Sequence, residues 1–197
     1  MHCKYICPVK KIAIFASGTG SNAAKIIDHL KNHKSISVSL IVSNKVDAGV
    51  LNIATQSSIP TLILEKEKFF RGNAFTDELK EAGIDFIILA GFLWKIPTAL
   101  IKKFPDRIIN IHPALLPKYG GKGMYGQHVH QAVIDNKETE SGITIHFVDE
   151  HYDHGDIIFQ AKCSVQENDT ASSLAAKVLQ LEHKYYPKVI EEVVLQT

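Results

Sequence analysis

Cysteine is scarce in this sequence. Cys3, Cys7 and Cys163 are the three cysteines among 197 residues, and this odd number is typical of reduced thiols in a cytoplasmic protein rather than of a disulfide framework. The first ten residues contain no sustained apolar stretch, so we expect no secretory signal there.

Neither sign of charge is in excess. The 22 basic and 21 acidic residues give a net charge of +1, and no segment is dense enough in Lys and Arg to predict a nucleic-acid face or an anionic-membrane surface. We therefore expect small-molecule partners, without nucleic acid or membrane. A monomer and a homodimer are both compatible with the sequence.

The length and the hydrophobic content of 45% allow one well-buried core. We predict a flexible tail over residues 1–9 and a single domain over residues 10–197. His2, Cys3 and Cys7 lie in this tail at a spacing that matches no zinc pattern, so we expect no metal there.

Strand and helix patterns alternate along the chain. Residues 84–89 are a continuous apolar run, typical of a parallel strand that is buried on both faces. We predict an α/β fold with a mainly parallel central sheet flanked by helices. The other predicted strands are 10–16, 36–43, 61–64, 107–112, 141–148 and 157–161. The first predicted helix begins after Asn22, and the other predicted helices are 47–57, 74–82, 97–103, 127–135 and 170 onward.

A glycine turn, Gly18-Thr-Gly20-Ser21-Asn22, joins the first strand to the first helix. A helix N-terminus reached through such a turn presents free N–H groups and favours an anion. The spacing also fits the dinucleotide fingerprint, but no acidic residue follows about twenty positions later to hold a ribose. We therefore predict a monophosphate site, with a turn that binds no ligand as the alternative.

Asn110 and His112 end a short apolar strand and precede a glycine-rich loop. Because side chains alternate along a strand, these two project to the same side, roughly 7 Å apart. An amide and an imidazole suit a developing oxyanion better than a metal or a covalent attack. The alternative is a strand-end Asn with its hydrogen bonds satisfied and a His packed under the loop.

Residues 149–156 form an acidic loop that contains two histidines. His151, Asp153, His154 and Asp156 resemble a metal-ligand set, but most acidic, glycine-containing turns of this kind are solvated. We therefore predict no metal. The carboxyl ends of parallel strands meet at one edge of a sheet, so we expect residues 18–22, 91–95 and 110–113 to share a cleft.

The segment Asn110-Ile-His112-Pro113-Ala-Leu-Leu-Pro117 closely resembles the 10-formyltetrahydrofolate-dependent formyltransferases, which share an Asn-x-His-Pro-Ser/Ala-Leu-Leu-Pro motif and a later catalytic Asp. Residues 17–22 and 43–45 are similar to the branch that formylates glycinamide ribonucleotide in purine synthesis. The resemblance covers residues 10–195, and its other motifs are residues 89–92, 146–148, 181–183 and 186–187. It implies a Rossmann-like formyltransferase fold.

The resemblance also implies a mechanism and a set of site residues. Asn110 and His112 would stabilise the oxyanion formed when the amine attacks the formyl carbon directly, and Asp153 would hold His112 protonated, with its pKa above that of an isolated histidine. The acceptor phosphate is assigned to Gly20, Ser21 and Asn22, and the rest of the acceptor to Leu179 and Glu182. The donor, 10-formyltetrahydrofolate, is assigned to Leu93, Trp94, Lys95, Ile96, Asn110, Asp149, Asp153 and Arg71.

The sequence departs from familiar family members at Leu93-Trp94, where Met-Arg is frequent. Lys95 or stacking on Trp94 would then replace the missing arginine. Formyltetrahydrofolate hydrolases and methionyl-tRNA formyltransferases carry a further domain, which we do not expect in a chain of 197 residues. A non-catalytic nucleotide-binding module is the alternative from another class, and it requires no convergence of Asn110, His112 and Asp153.

Overall fold

The computed structural model describes residues 8–71 and 74–197. The predicted tail, with His2, Cys3 and Cys7, lies outside the described residues except for its last two positions. The strands are β1 (Lys10–Phe15), β2 (Ile36–Ser43), β3 (Thr61–Ile63), β4 (Phe86–Leu89), β5 (Ile108–His112), β6 (Glu140–Phe147) and β7 (Ile157–Ser164). The helices are α1 (Ser21–Leu30), α2 (Gly49–Gln56), α3 (Lys66–Arg71), α4 (Ala74–Glu81), α5 (Thr98–Lys103), α6 (Gln127–Asp135) and α7 (Ala171–Gln196).

The strands of the described chain form one sheet in the order β3-β2-β1-β4-β5-β6-β7. All pairings from β3 to β5 are parallel, whereas β6 pairs antiparallel with both β5 and β7. The prediction of a mainly parallel sheet flanked by helices is confirmed. The parallel part places the ends of β1, β4 and β5 side by side, where ligands bind in such folds.

Alternation along the central strands divides the core between the two faces of the sheet. Ile12 and Ile14 pack into a cluster with residues of α1, α2, α6 and α7. Ala13 and Phe15 pack on the other face with residues of α3, α4 and α5. Because both faces are covered, β4 and the last four residues of β1 are apolar and buried.

Helix α3 was not predicted from the sequence. It has six residues, of which Phe69 is buried, and such a short segment shows no helical period. The ion pairs Lys68–Glu65 and Arg71–Glu67 lie on its solvent side. Strand β7 also continues three residues beyond the predicted 157–161, because its pairing with β6 extends to Glu140 opposite Ser164.

Helix α7 is held against the strand ends by Tyr186. This side chain is completely buried, and its hydroxyl lies 2.9 Å from the carbonyl of Leu89 and 3.1 Å from that of Ile109. At the other end, Thr170 and Ser173 form a capping box. No helix within the described ranges has the length and apolar character to cross a membrane.

Candidate active site

A cleft of about 1050 Å³ opens at the carboxyl ends of β1, β4 and β5. Its size lies at the upper end of the range of small-molecule sites. Most of the predicted site residues line it together, namely Asn22, Leu93, Trp94, Lys95, Ile96, Asn110, His112, Asp149, Asp153, Leu179 and Glu182. The convergence of Asn110, His112 and Asp153 is the arrangement that the non-catalytic alternative does not require.

The remaining predicted residues do not line this cleft. Gly20 and Ser21 lie next to it, between the lining residues Thr19 and Asn22. Arg71 is exposed at the end of α3, and its guanidinium pairs with Glu67 at 2.9 Å. The structure therefore does not bring Arg71 together with the other predicted donor residues.

The glycine turn leaves the N-terminus of α1 without a side-chain cap. Gly20 is the N-cap residue with a φ of 83°, and no acidic residue lies in the first turn. A Cβ at Gly20 would lie 2.8 Å from Val50, so the turn requires glycine both for its backbone and for its close packing. The uncapped N–H groups and the helix dipole make this end of α1 suitable for an anion.

Asn22 connects this turn to α7. Its Nδ2 donates to Oε2 of Glu182, while its Oδ1 is buried and has no hydrogen-bond partner in the described chain. Burial raises the pKa of Glu182, and the bond from Asn22 opposes that rise. The two side chains place an amide and a carboxylate at the α1–α7 side of the cleft.

Asn110 is oriented by His146 on the neighbouring strand. Nδ1 of His146 lies 2.7 Å from the carbonyl of Phe147 and must carry a proton to donate there. In the neutral ring, Nε2 therefore accepts from Nδ2 of Asn110, over 3.1 Å. This leaves the second N–H of the Asn110 amide for another acceptor.

His112 is held by a backbone carbonyl. Its Nε2 donates to the carbonyl of Tyr119 at 2.7 Å, and its Nδ1 lies 3.6 Å from Oδ2 of Asp153. Because Nε2 carries the proton in the neutral ring, Nδ1 can donate a hydrogen bond only when the ring is protonated. Both Tyr119 and Asp153 have left-handed backbones, with φ values of 58° and 56°.

The expected direction of the His112 pKa is wrong. Burial is the largest effect and lowers the pKa below 6.5, although Asp153 and the Tyr119 carbonyl both raise it. The sequence pattern predicted the carboxylate neighbour but not the removal of the ring from water. Asp153 therefore limits the loss of proton affinity rather than producing a pKa above the ordinary value.

Asp153 interacts with other neighbours besides His112. Its Oδ2 accepts from the backbone N–H of Gly121 at 2.9 Å, and its Oδ1 lies 3.6 Å from Nε2 of His146. Burial opposes ionisation of this carboxyl, but the interactions with His146, His112 and Gly121 outweigh it and lower its pKa. Asp153 is thus a carboxylate near pH 7.

An aromatic cluster forms the wall opposite α7. The ring of Trp94 lies 5.7 Å from Phe69, 5.5 Å from Phe70 and 6.3 Å from Phe92. Nζ of Lys95 lies 5.4 Å from the ring centre of Tyr152. Phe92 and Trp94 line the cleft and provide apolar aromatic surface with a cation beside it, which suits a planar, partly anionic molecule.

The comparison with protein families gives one match over most of the chain. Residues 10–190 match the model described as formyl transferase. The chain belongs to the formyl transferase family. Other members of this family are similar to this chain in sequence and in structure.

The chloroplastic phosphoribosylglycinamide formyltransferase of Arabidopsis thaliana is 45% identical, over 92% of this chain and 64% of that protein. The enzyme of the same name from Bacillus subtilis is 36% identical, over 93% of this chain and 94% of its own. The solved phosphoribosylglycinamide formyltransferase of Bacillus halodurans has a TM-score of 0.85 at 34% identity, covering 94% of this chain and 95% of that one.

This chain spans only part of the first two curated family members in the comparison. It covers 64% of the Arabidopsis thaliana protein and 60% of the Vigna unguiculata protein. Within the described residues, no group of three or more His, Cys, Asp or Glu side chains is arranged to hold a metal ion.

Sequence reasoning missed two histidines and a backbone contact at this cleft. His130 and His146 both line the cleft, and the Tyr119 carbonyl holds His112. His146 belongs to one of the family motifs, but only its position opposite Asn110 in the β5–β6 pairing indicates its role. His130 gave no signal, since the two histidines of the amphipathic helix α6 form no distinguishing pattern.

Proposed function

We propose that this protein transfers the formyl group of 10-formyltetrahydrofolate to the amine of 5-phosphoribosylglycinamide, a step of purine biosynthesis. The observation that carries the proposal is one cleft lined by Asn22 beside the phosphate turn and by Asn110, His112 and Asp153. The names of the family members support the same acceptor.

The acceptor is assigned to the α1–α7 side of the cleft. Its phosphate would bind the backbone N–H groups of Gly20, Ser21 and Asn22, which no side chain caps. Glu182 offers a carboxylate that accepts hydrogen bonds from ribose hydroxyls, and Leu179 offers apolar contact. The Asn22–Glu182 hydrogen bond holds the carboxylate ready for that contact.

The formyl donor is assigned to the aromatic side of the cleft. Leu93, Trp94 and Ile96 line it with apolar surface, which fits a planar heterocycle and a benzoyl ring. Lys95 supplies a positive charge for the glutamate carboxylates of the donor, in place of the arginine that is frequent in the family. Asp149 and Asp153 lie on the loop that closes this side.

The chemistry is a direct attack of the acceptor amine on the formyl carbon. The negative charge that develops on the formyl oxygen would accept from the free N–H of Asn110 and from Nδ1 of protonated His112. No side chain has to form a covalent intermediate. Asp153 offsets part of the burial cost of charging His112, which is the reason for its place beside that ring.

The proposal includes no metal and makes 10-formyltetrahydrofolate a cosubstrate. A monomeric or homodimeric state and a cytoplasmic location are further predictions. Two of the plant relatives are named chloroplastic, which makes a plastid the alternative location. Sedimentation velocity tests the oligomeric state.

The deciding experiment measures formyl transfer from 10-formyltetrahydrofolate to glycinamide ribonucleotide, followed by the appearance of deformylated folate. We expect the signal to require the amine, the wild-type Asn110 and the wild-type His112. A parallel reaction without amine separates transfer from hydrolysis. Deformylation at the same rate without the amine would assign the protein to the hydrolases and overturn the proposal.

A further inference from the structure

His130 is a buried histidine whose ring takes part in no hydrogen bond among the described residues. It lies on α6 with 5% of its surface exposed, and it lines the cleft. Its Nδ1 is completely buried, and no hydrogen bond to this atom exists in the part of the chain that the structure describes. Buried polar groups are nearly always paired, so a histidine that faces a ligand cleft without a partner calls for a functional explanation.

The other buried ionisable groups of the cleft are already committed. His112 donates to the Tyr119 carbonyl, and His146 bonds both Phe147 and Asn110. The remaining two carboxylates, Asp153 and Glu182, accept from Gly121 and Asn22. Among the described residues, His130 is thus the buried base lining the cleft whose ring takes part in none of the hydrogen bonds.

The neighbours of His130 favour its neutral form. Burial lowers its pKa, and the nearby His112 lowers it further because two adjacent positive charges repel. The charged groups that line the cleft beside the histidines are Glu182 on α7, Lys122 in the loop before α6, Lys95 after β4, and Asp149 and Asp153 in the loop after β6. A neutral imidazole keeps one lone pair, which can accept a proton.

The two imidazoles differ in what surrounds them. Asp153 and the Tyr119 carbonyl raise the pKa of His112, and no comparable group does so for His130. Asp153 and the Tyr119 carbonyl therefore favour a proton on His112, and a charge on His112 opposes a proton on His130. Protonated His112 can donate to an oxyanion, but it has no lone pair left with which to act as a base.

We propose that His130 is the general base of the formyl transfer, taking the proton of the attacking amine while His112 stabilises the oxyanion. The inference rests on the proposed function and adds a catalytic residue to it. The amine lone pair forms the new N–C bond and the formyl C=O pair moves to oxygen. An N–H bond of the amine then breaks, the proton goes to the lone pair of His130, and the electron pair stays on nitrogen.

The second half of the reaction returns the proton. The C=O bond re-forms, the bond between the formyl carbon and the folate nitrogen breaks, and that nitrogen keeps the electron pair. It takes the proton from protonated His130, directly or through water. His130 ends neutral. The formyl group has moved to the amine, and one proton has moved from the amine to the folate nitrogen.

The test compares His130→Gln with the matched control His128→Gln, since His128 is exposed on the same helix. We expect kcat of His130→Gln to fall on the order of 10²–10³-fold, within the range of general-base catalysis, while KM changes much less. In the wild-type protein kcat should fall as the pH drops through the His130 pKa, which lies below 6.5, and the variant should lose this acid limb. The control should keep both the rate and the limb.

A chemical-rescue experiment separates catalysis from folding. In His130→Ala, added imidazole should restore part of kcat, whereas pyrazole, which has the same shape but is a far weaker base, should not. Equal rescue by both would show that His130 only fills space. Thermal unfolding of each variant verifies that it is folded at the assay temperature.

The possible failures are distinguishable. A wild-type protein that does not formylate glycinamide ribonucleotide refutes the proposed function, whereas an active wild type with an equally active His130→Gln variant refutes only the role of His130. An NMR titration of the free protein gives a further check without activity. A His130 pKa above 6.5 would overturn the neutral base under either outcome.

Discussion

The side-chain amide of Asn110 donates from Nδ2 to Nε2 of His146 over 3.1 Å. This contact joins β5 to β6 across the antiparallel register in which the two residues face each other. The contact also sets the orientation of the Asn110 amide, with its NH₂ group toward His146. The orientation of the proposed oxyanion donor thus depends on a residue of the next strand.

We expect His146→Leu to lower kcat about fivefold, because it removes one neutral hydrogen bond worth about 1 kcal/mol and frees the Asn110 amide to rotate. Steady-state kinetics of formyl transfer measure this effect. His154→Leu is the matched control, since His154 is exposed and does not line the cleft. An unchanged kcat in His146→Leu would show that strand β5 alone positions Asn110.

Removal of either oxyanion donor should affect turnover more strongly. For Asn110→Ala and His112→Ala we expect kcat to fall on the order of 10²–10³-fold each, the usual effect of losing one such donor. The fall in His112→Ala also includes the loss of the positive charge of protonated His112. Single-turnover rates with both substrates bound test this, and rates near those of the wild type in both variants would refute the mechanism.

Asp153→Asn isolates the charge of the carboxylate, because the amide oxygen can still accept from Gly121. Asp153 raises the pKa of His112 against the larger effect of burial, so the variant should lower that pKa further below 6.5. If protonated His112 is the active form, kcat should then decline at a lower pH than in the wild type as the pH rises. NMR titration of His112 in both proteins measures the shift directly, and an unchanged or higher pKa in the variant would remove this role from Asp153.

Binding of the acceptor should depend on its phosphate. The N-terminus of α1 is uncapped at Gly20, and its N–H groups are suited to an anion rather than to a neutral hydroxyl. In calorimetry we expect glycinamide ribonucleotide to bind far more tightly than the dephosphorylated riboside. Equal affinities would show that the turn binds no phosphate.

The Tyr186 hydroxyl is a stability determinant that lies beside the site. Its single proton is shared between the carbonyls of Leu89 and Ile109, and because the hydroxyl is buried, Tyr186→Phe should lower the free energy of unfolding by about 1–3 kcal/mol. Urea denaturation measures this change. Tyr185→Phe is the control, since the Tyr185 ring packs on Phe159 and none of the hydrogen bonds of the described residues involves its hydroxyl; an equal loss there would contradict the explanation.

Much of the fold was predictable because it depends on local patterns. The apolar run at residues 84–89 and the glycine turn at 18–22 each indicate their structure within a few residues, and both lie where the α/β pattern places them. The spacing of Asn110 and His112 likewise placed both in one cleft. Short α3 was missed, since six residues with one buried side chain contain no period.

The part of the site that sequence reasoning missed depends on tertiary packing. Burial is the largest effect on the pKa of His112, and burial of this kind has no local pattern. His130 reaches the cleft because α6 packs beside α7, a relationship between segments 36 or more residues apart. Such contacts follow from the assembled fold rather than from residue spacing.

The left-handed backbones of Tyr119 and Asp153 imply a compromise between the stability of the fold and the rate of turnover. Residues with side chains adopt this conformation at a cost of about 1–3 kcal/mol each, in a molecule whose whole stability is typically about 5–15 kcal/mol. The two strained positions hold the carbonyl and the carboxylate on either side of His112. A search for heat-resistant variants would therefore tend to relax these two positions. The selected proteins would unfold at a higher temperature than the wild type but turn over more slowly.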